Sequence, residues 1–376
     1  MDSFDLSAPW VILAPWPVGA AAEDLARCIG VLRQRDSLGG GLPPVKDGAG
    51  PAPEDSVPII LLNEGGGGNE RGGFSWRTGR DRVEIYGDSR RGLCNGVYAF
   101  LAALGFSWPA PDRESLPPAG GAYPLTVRAA YSPSDPSPEN RRRLVIPPKT
   151  PLKRLSALGR WAARNRVDAL IFSLGDRRIG GPAAELEDRW GLIIERGGWD
   201  MGLLAPRRLF FFNRELFRME GGRRVSGHHF CPTNPQSIEL LWRRLDALLE
   251  AMDKAAPVAA DEAGNDGTRA RPRIYHLWPD RGAEHRWCAC PACRAFSPRE
   301  QIRLAVNAAA DLIGKRDRGA LISCRGEEEP PGEKLPGGSE ITLRPNVFRL
   351  RTRIPADGPG EPLVYYCDGG VIRELR

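Results

Sequence analysis

The sequence predicts an α/β protein in two parts: a small N-terminal α/β domain, then a (β/α)8 TIM-type barrel that is incomplete at its C-terminal end. Three observations lead there. Short apolar runs alternate with helical patterns before residue 125. A proline- and serine-rich stretch, "YSPSDPSPENRRR", interrupts the pattern. Beyond it, apolar runs of strand length alternate with helical segments, which is how a parallel sheet covered by helices reads. The boundaries are residues 1–125 for the first domain, 126–140 for a linker and 141–376 for the barrel.

In the first domain, "WVILAP" from Trp10 is a short buried-strand run. Ala21–Gln34 places Leu25, Ile29 and Leu32 at helical spacing, with Cys28 on the same face. Leu38–Asp55 is rich in glycine and proline and reads as a loose loop. Val57–Glu64 is a second strand, "GGGGNERGG" a flexible turn, and "FSWRTGRDRVEIYGDS" a hairpin bending at Thr78–Asp81. A helix comes next, with Leu93, Val97, Phe100, Leu101 and Leu104 as its apolar stripe and Gly105 as its stop.

In the second part, seven candidate strands are Arg143–Pro147, Ala169–Leu174, Gly191–Arg196, Arg273–Trp278, Ala320–Cys324, Ile341–Leu350 and Leu363–Cys367. Helices fall between them, among them Leu152–Arg164, Pro235–Lys254 and Pro298–Lys315. Seven such strands suit a barrel better than an open sheet, with the eighth unit missing or improvised. Residues 255–273 read as a polar, flexible insert.

Composition narrows the function. The 41% hydrophobic and 27% charged fractions are those of a soluble globular chain. Although the net charge is +6, basic and acidic residues are interspersed, and Arg141-Arg142-Arg143 reads as a solvated lead into a strand, so no nucleic-acid partner is expected. No apolar run approaches the ~18 residues of a membrane span. The first residues, "MDSFDLSAPWVILAPW", lack the basic start of a signal peptide. The expectation is therefore a cytoplasmic protein whose thiols are reduced.

A parallel barrel carries its site at the C-terminal ends of the strands. The residues there include Asp176, Glu195, Trp199, Asp200, Asp280, Glu284, His285 and Trp287. Carboxylates, tryptophans and arginines on one rim suit a carbohydrate, and glycoside cleavage needs two carboxyl groups. Asp280 directly follows an apolar strand and is the first candidate for acid/base work, with a turn aspartate as the plain alternative. Glu195, Asp200 and Glu284 compete as its partner; a surface ion pair and a loop cap are the plain readings of Glu195 and Asp200. Trp199 and Trp278 are candidate sugar platforms, and Asp200, Arg196 and His228 candidate substrate contacts. Separately, Cys288-x-Cys290-x-x-Cys293 offers soft ligands in a zinc-knuckle arrangement, with Cys231, His285 or His276 as a fourth. A structural zinc or thiol cluster, ordinary buried or loop cysteines, and a catalytic redox motif remain open for it, the last without the thioredoxin context of strand and helix N-terminus. A zinc-dependent nucleic-acid or partner-binding module is disfavoured by the scattered charge. No cofactor is required for catalysis.

Two resemblances add to this reading. "GDSRRGLCNGVYAFLAALGFSWPAPDRESLP" resembles the end of the small α/β domain that precedes the catalytic barrel in alpha-glucuronidases and beta-hexosaminidases. "WAARNRVDALIF", "GLIIERGGWD…FCPTNP", "LWPDRGAEHRWCACPACRAFSP" and "LRPNVFRLR" are similar, in order and spacing, to the glycoside-hydrolase-like family called domain of unknown function 4838. Together they span most of residues 10–370. The resemblance implies a glycoside-hydrolase barrel acting on amino-sugar or uronic-acid glycans, with Asp280 matching the aspartate after strand four and the three cysteines matching the family's own. The chain departs from that pattern at Trp199, where relatives often have histidine, and at Leu350–Arg353, where they often have glutamate. It is also shorter. A catalytically degenerate or truncated carbohydrate-binding protein on the same scaffold therefore stands as the second expectation.

Overall fold

The structure is a computed structural model. It describes residues 3–5, 7–14, 19–38, 41–47, 52, 56–63, 72–78, 82–119, 123–124, 128–131, 141–176, 180–255, 273–280, 286–325, 341–350, 364–368 and 371–374. The glycine-rich turn at 65–71, the linker residues 132–140, the insert at 256–272 and the departure at 351–353 lie outside the described residues.

The first sheet contains β1 (Trp10–Ala14), β2 (Val45–Asp47), β3 (Val57–Asn63), β4 (Phe74–Thr78), β5 (Val83–Gly87) and β6 (Arg128–Tyr131), in the order β6-β4-β5-β3-β1-β2. β2 corrects the expected loose loop: its residues pair in parallel with β1, with Val45 opposite Ile12. Helix α1 (Gly19–Arg35) buries Leu25, Cys28, Ile29 and Leu32, the stripe the spacing predicts. Helix α2 (Arg90–Ala103) starts where the Ser89 hydroxyl accepts a bond from the Gly92 N–H. It ends at Gly105, whose φ of 99° suits glycine at the residue after a helix C-cap.

The second sheet contains β7 (Arg143–Ile146), β8 (Ala169–Phe172), β9 (Ile193–Gly198), β10 (Ile274–Leu277), β11 (Leu321–Arg325), β12 (Val347–Leu350), β13 (Val364–Asp368) and β14 (Val371–Glu374). Its order is β12-β11-β10-β9-β8-β7-β13-β14. Six strands run in chain order, and β13 then returns beside β7, parallel to it. The improvised eighth unit is β14, which runs antiparallel to β13. The result is a curled half-barrel of the TIM type, with α3 (Leu152–Arg164), α4 (Gly181–Trp190), α6 (Pro235–Ala255) and α7 (Pro298–Arg316) between its strands, and a short helix α5 (Met201–Leu204) just after β9. The expected strand at 341–350 shrinks to β12, because Pro345 has no N–H to give a ladder. No helix among the described residues is long and apolar enough to cross a membrane.

The two sheets are joined by charge as well as by apolar packing. Arg164 of α3 grips the buried Asp24 of α1 with two bonds of 2.8 and 2.7 Å. Arg91 of α2, 1% exposed, donates to the carbonyls of Val167 and Trp190.

Inside the half-barrel lies a chain of buried polar groups. Arg143 is 0% exposed, which corrects the expectation of a solvated lead into β7. Its Nε donates to Glu195 at 2.7 Å, and Arg141 adds a contact at 3.3 Å. His276 Nε2 lies 2.9 Å from the same carboxylate, and its Nδ1 lies 2.6 Å from Ser323 Oγ. Burial lowers the pKa of His276, against the pull of the Glu195 carboxylate, and so favours the neutral ring. A carboxylate only accepts, so Nε2 carries the proton and Ser323 donates to Nδ1. Ser323 then accepts from Trp278 Nε1 at 3.0 Å. Every member has a partner, the condition under which such a network holds a core in one arrangement.

Removing one side of a buried ion pair strands the other charge, at a cost of about 3–5 kcal/mol. Arg143→Met is therefore predicted to lower the unfolding free energy by about that amount in urea titrations. Adding Glu195→Leu to that variant recovers part of the loss.

Candidate functional site

The C-terminal ends of β8, β9 and β10 converge on two aspartates. β9 runs into Gly197 and Gly198, with φ of 112° and 121°. A Cβ at Gly197 would sit 2.0 Å from the His276 carbonyl oxygen, so only glycine allows β9 to lie this close to β10. The chain then turns through Trp199 into Asp200. The Asp200 carboxylate is 4% exposed and bridges β9 to the end of β8. It accepts from the Ser173 hydroxyl at 2.7 Å and from the Leu174 N–H at 2.6 Å. Asp280, two residues beyond Trp278, accepts from the Gly202 N–H at 3.1 Å, at the start of α5. Its side chain is 21% exposed, and His228 Nδ1 stands 3.8 Å away.

These carboxyls hold their protons more tightly than free aspartate. Burial pushes Asp200 up to about 6, against the bonds from Leu174 and Ser173, and the charges of Asp280 and Asp176 push in the same direction. Burial also raises Asp280, opposed by the Gly202 N–H, His228 and Arg207. Glu195 goes the other way. Burial alone would raise it, but Arg143, His276 and Arg141 together hold it well below the usual carboxylate range.

Trp199 forms an aromatic wall beside the aspartates. It meets Trp278 edge-on at 5.3 Å and Tyr366 at 6.0 Å. Its Nε1 is buried and has no hydrogen-bond partner among the described residues.

The expected site residues thus divide. Asp200, Asp280, Trp199 and His228 come together at the rim. Glu195 does not: it is 1% exposed, within the barrel, and committed to two arginines and a histidine. Arg196, next along the strand, points the other way and pairs with Asp253 of α6 at 3.2 Å. Trp278 is 0% exposed, so it cannot be a sugar platform and instead props Trp199 from below. Glu284 and His285 lie outside the described residues. Ser173 and Tyr366 escape the sequence reading because both fall inside runs read as strands.

The cysteines form a separate group. The sulfurs of Cys231, Cys288, Cys290 and Cys293 all lie within 4.8 Å of one another, and all four residues are buried. Of the three residues weighed as a fourth member, Cys231 is the one the fold brings there, and His276 is engaged inside the barrel.

No protein-family model and no curated protein matches this sequence. Solved structures align with much of its length. A beta-N-acetylhexosaminidase from Bacteroides fragilis is 12% identical with a TM-score of 0.46, over 92% of this chain and 66% of that one. The Flavobacterium johnsoniae chitobiase is 13% identical with a TM-score of 0.48, over 86% and 50%. A Vibrio harveyi exo beta-N-acetylglucosaminidase is 12% identical with a TM-score of 0.44, over 86% and 52%. This chain therefore spans about half to two thirds of the length of those proteins.

A carboxyl whose pKa rises on folding stabilises the fold while protonated. The contribution of Asp200 is full below about pH 4 and is lost as pH rises through about 6. A shift of about two units corresponds to about 3 kcal/mol at most. Asp200→Asn is predicted to gain stability over the parent at about pH 7.5 and none at about pH 4, by thermal unfolding at both.

Proposed function

We propose that the chain is a glycoside-hydrolase-like protein acting on amino-sugar glycans, with Asp280 as the proton donor to the leaving oxygen. One observation carries the reading: a partly exposed carboxyl with a raised proton affinity at the end of a barrel strand, beside a second raised carboxyl. Glycoside cleavage near neutral pH needs an acid that keeps its proton until the bond breaks, and burial supplies such acids. Asp200 orients the site and, through its charge, is coupled to Asp280. Trp199, partly exposed, offers an aromatic face to a sugar ring. His228 is a second polar contact. The sequence resemblance around Asp280 supports the sugar class.

A second reading is binding without turnover. Both Asp200 oxygens already accept bonds, from Ser173 and Leu174, which favours a positioning role over that of a nucleophile.

Chromogenic N-acetylhexosaminides and a glycan array separate the two. Under the first reading the chain hydrolyses at least one aryl amino-sugar glycoside, and Asp280→Asn lowers kcat by about 10²–10⁴-fold. Array binding that Trp199→Ala abolishes, without turnover, supports the second. Neither binding nor turnover refutes both.

A further inference from the structure

We propose that Cys231, Cys288, Cys290 and Cys293 bind one zinc ion as a closed four-thiolate site that fixes the two loops carrying His228 and Asp280. The geometry matches the ion. Cys231 Sγ lies 3.8 Å from Cys290 Sγ and 3.6 Å from Cys293 Sγ. A tetrahedron of zinc–sulfur bonds of about 2.3 Å has edges of about 3.8 Å. A disulfide would bring two sulfurs to about 2.05 Å, and no pair among these four is that close.

The surroundings are those of thiolates. The Met219 N–H points at Cys288 Sγ at 3.3 Å, and Arg224 Nη1 lies 3.6 Å from the same sulfur. The Thr233 hydroxyl is 3.0 Å from Cys293 Sγ. Cys290 and Cys293 sit on one tight turn, with the Cys293 and Arg294 N–H groups both bonded to the Cys290 carbonyl at 2.9 and 3.0 Å. That is the bite of a zinc knuckle. Each thiol releases a proton on binding, leaving a dianionic centre that Arg224 partly offsets.

The location explains why the fold needs the ion. The four sulfurs come from two stretches far apart in the chain, and the local structure is slight. Among the described residues it comprises a short hairpin, Met219–Glu220 with Arg223–Arg224, a single bridge between Phe217 and Phe230, and one 3-10 turn at Cys293–Ala295. Elsewhere Gln301 of α7 clamps one loop, accepting from the Cys288 N–H at 3.0 Å and donating to its carbonyl at 3.1 Å. Cys231 lies three positions beyond His228, and Cys288 eight beyond Asp280. Four soft ligands select zinc over magnesium or calcium, and four leave no position for substrate, so the role is structural.

The full chain, purified under reducing conditions, decides this independently of any activity. The expected result is about one zinc per chain by elemental analysis, released by a mercurial thiol reagent. Replacing it with cobalt(II) should give the visible bands of a tetrahedral site and a strong thiolate-to-metal band in the near ultraviolet. Cys293→Ser should lower both the zinc content and that near-ultraviolet intensity, while Cys94→Ser, at a buried thiol of α2, leaves both intact. Should Cys293→Ser fail to fold, the cobalt spectrum of the parent chain still decides. Zinc near zero with no cobalt spectrum overturns the proposal, as does iron at one equivalent in place of zinc, or zinc unchanged in Cys293→Ser.

Discussion

The structure turns on one buried carboxylate. Glu195 sits inside the half-barrel, 1% exposed, and would be intolerable there alone. Arg143 and Arg141 neutralise it, and His276 completes its shell. That choice fixes the next ones. The His276 tautomer is set by the charge of Glu195, the Ser323 hydroxyl by the tautomer, and the Trp278 indole by the hydroxyl. Trp278 in turn supports Trp199 at the rim. A charge near the floor of the barrel thereby sets the position of an aromatic side chain at its mouth.

The same residue chemistry behaves in opposite ways at the two levels. Glu195 and Asp200 are both deeply buried, yet Glu195 is held below the ordinary range and Asp200 is pushed up to about 6. The difference lies in the partners. Cations surround Glu195, whereas Asp200 has a hydroxyl, an N–H and two neighbouring carboxylates. The first arrangement locks a fold. The second holds a proton on a buried carboxyl beside the part-exposed Asp280.

Much of the fold is legible in the sequence because hydrophobic periodicity reports burial. All seven expected barrel strands exist, and the stripes of α1 and α2 face the core as their spacing implies. Asp280, Asp200, Trp199 and His228 are legible too, the first three because they stand just beyond the apolar strands. The failures share one cause: pattern gives the face of a strand but not the level within a barrel. Glu195 and Arg196 are neighbours, one turned into the barrel toward Arg143 and the other out toward Asp253. Arg143 reads as a solvated charge because its partner lies 52 residues away. Trp278 reads as a platform because it precedes Asp280, yet it is the last buried layer below the mouth. Cys231 is one of three residues the sequence offers as a fourth ligand, and three-dimensional proximity selects it.

The central claim is that the rim carries two carboxyls of raised proton affinity, distinct from the ion-paired carboxylate beneath them. The most direct measurement is a carboxyl-carbon NMR titration of the isotopically labelled chain, with the Asp200 and Asp280 signals assigned by their loss in the two Asn variants. The account predicts that Asp200 titrates near pH 6 and Asp280 above the ordinary aspartate value, while Glu195 stays ionised far into acid. Both aspartates titrating together at an ordinary value of about 4 would contradict it.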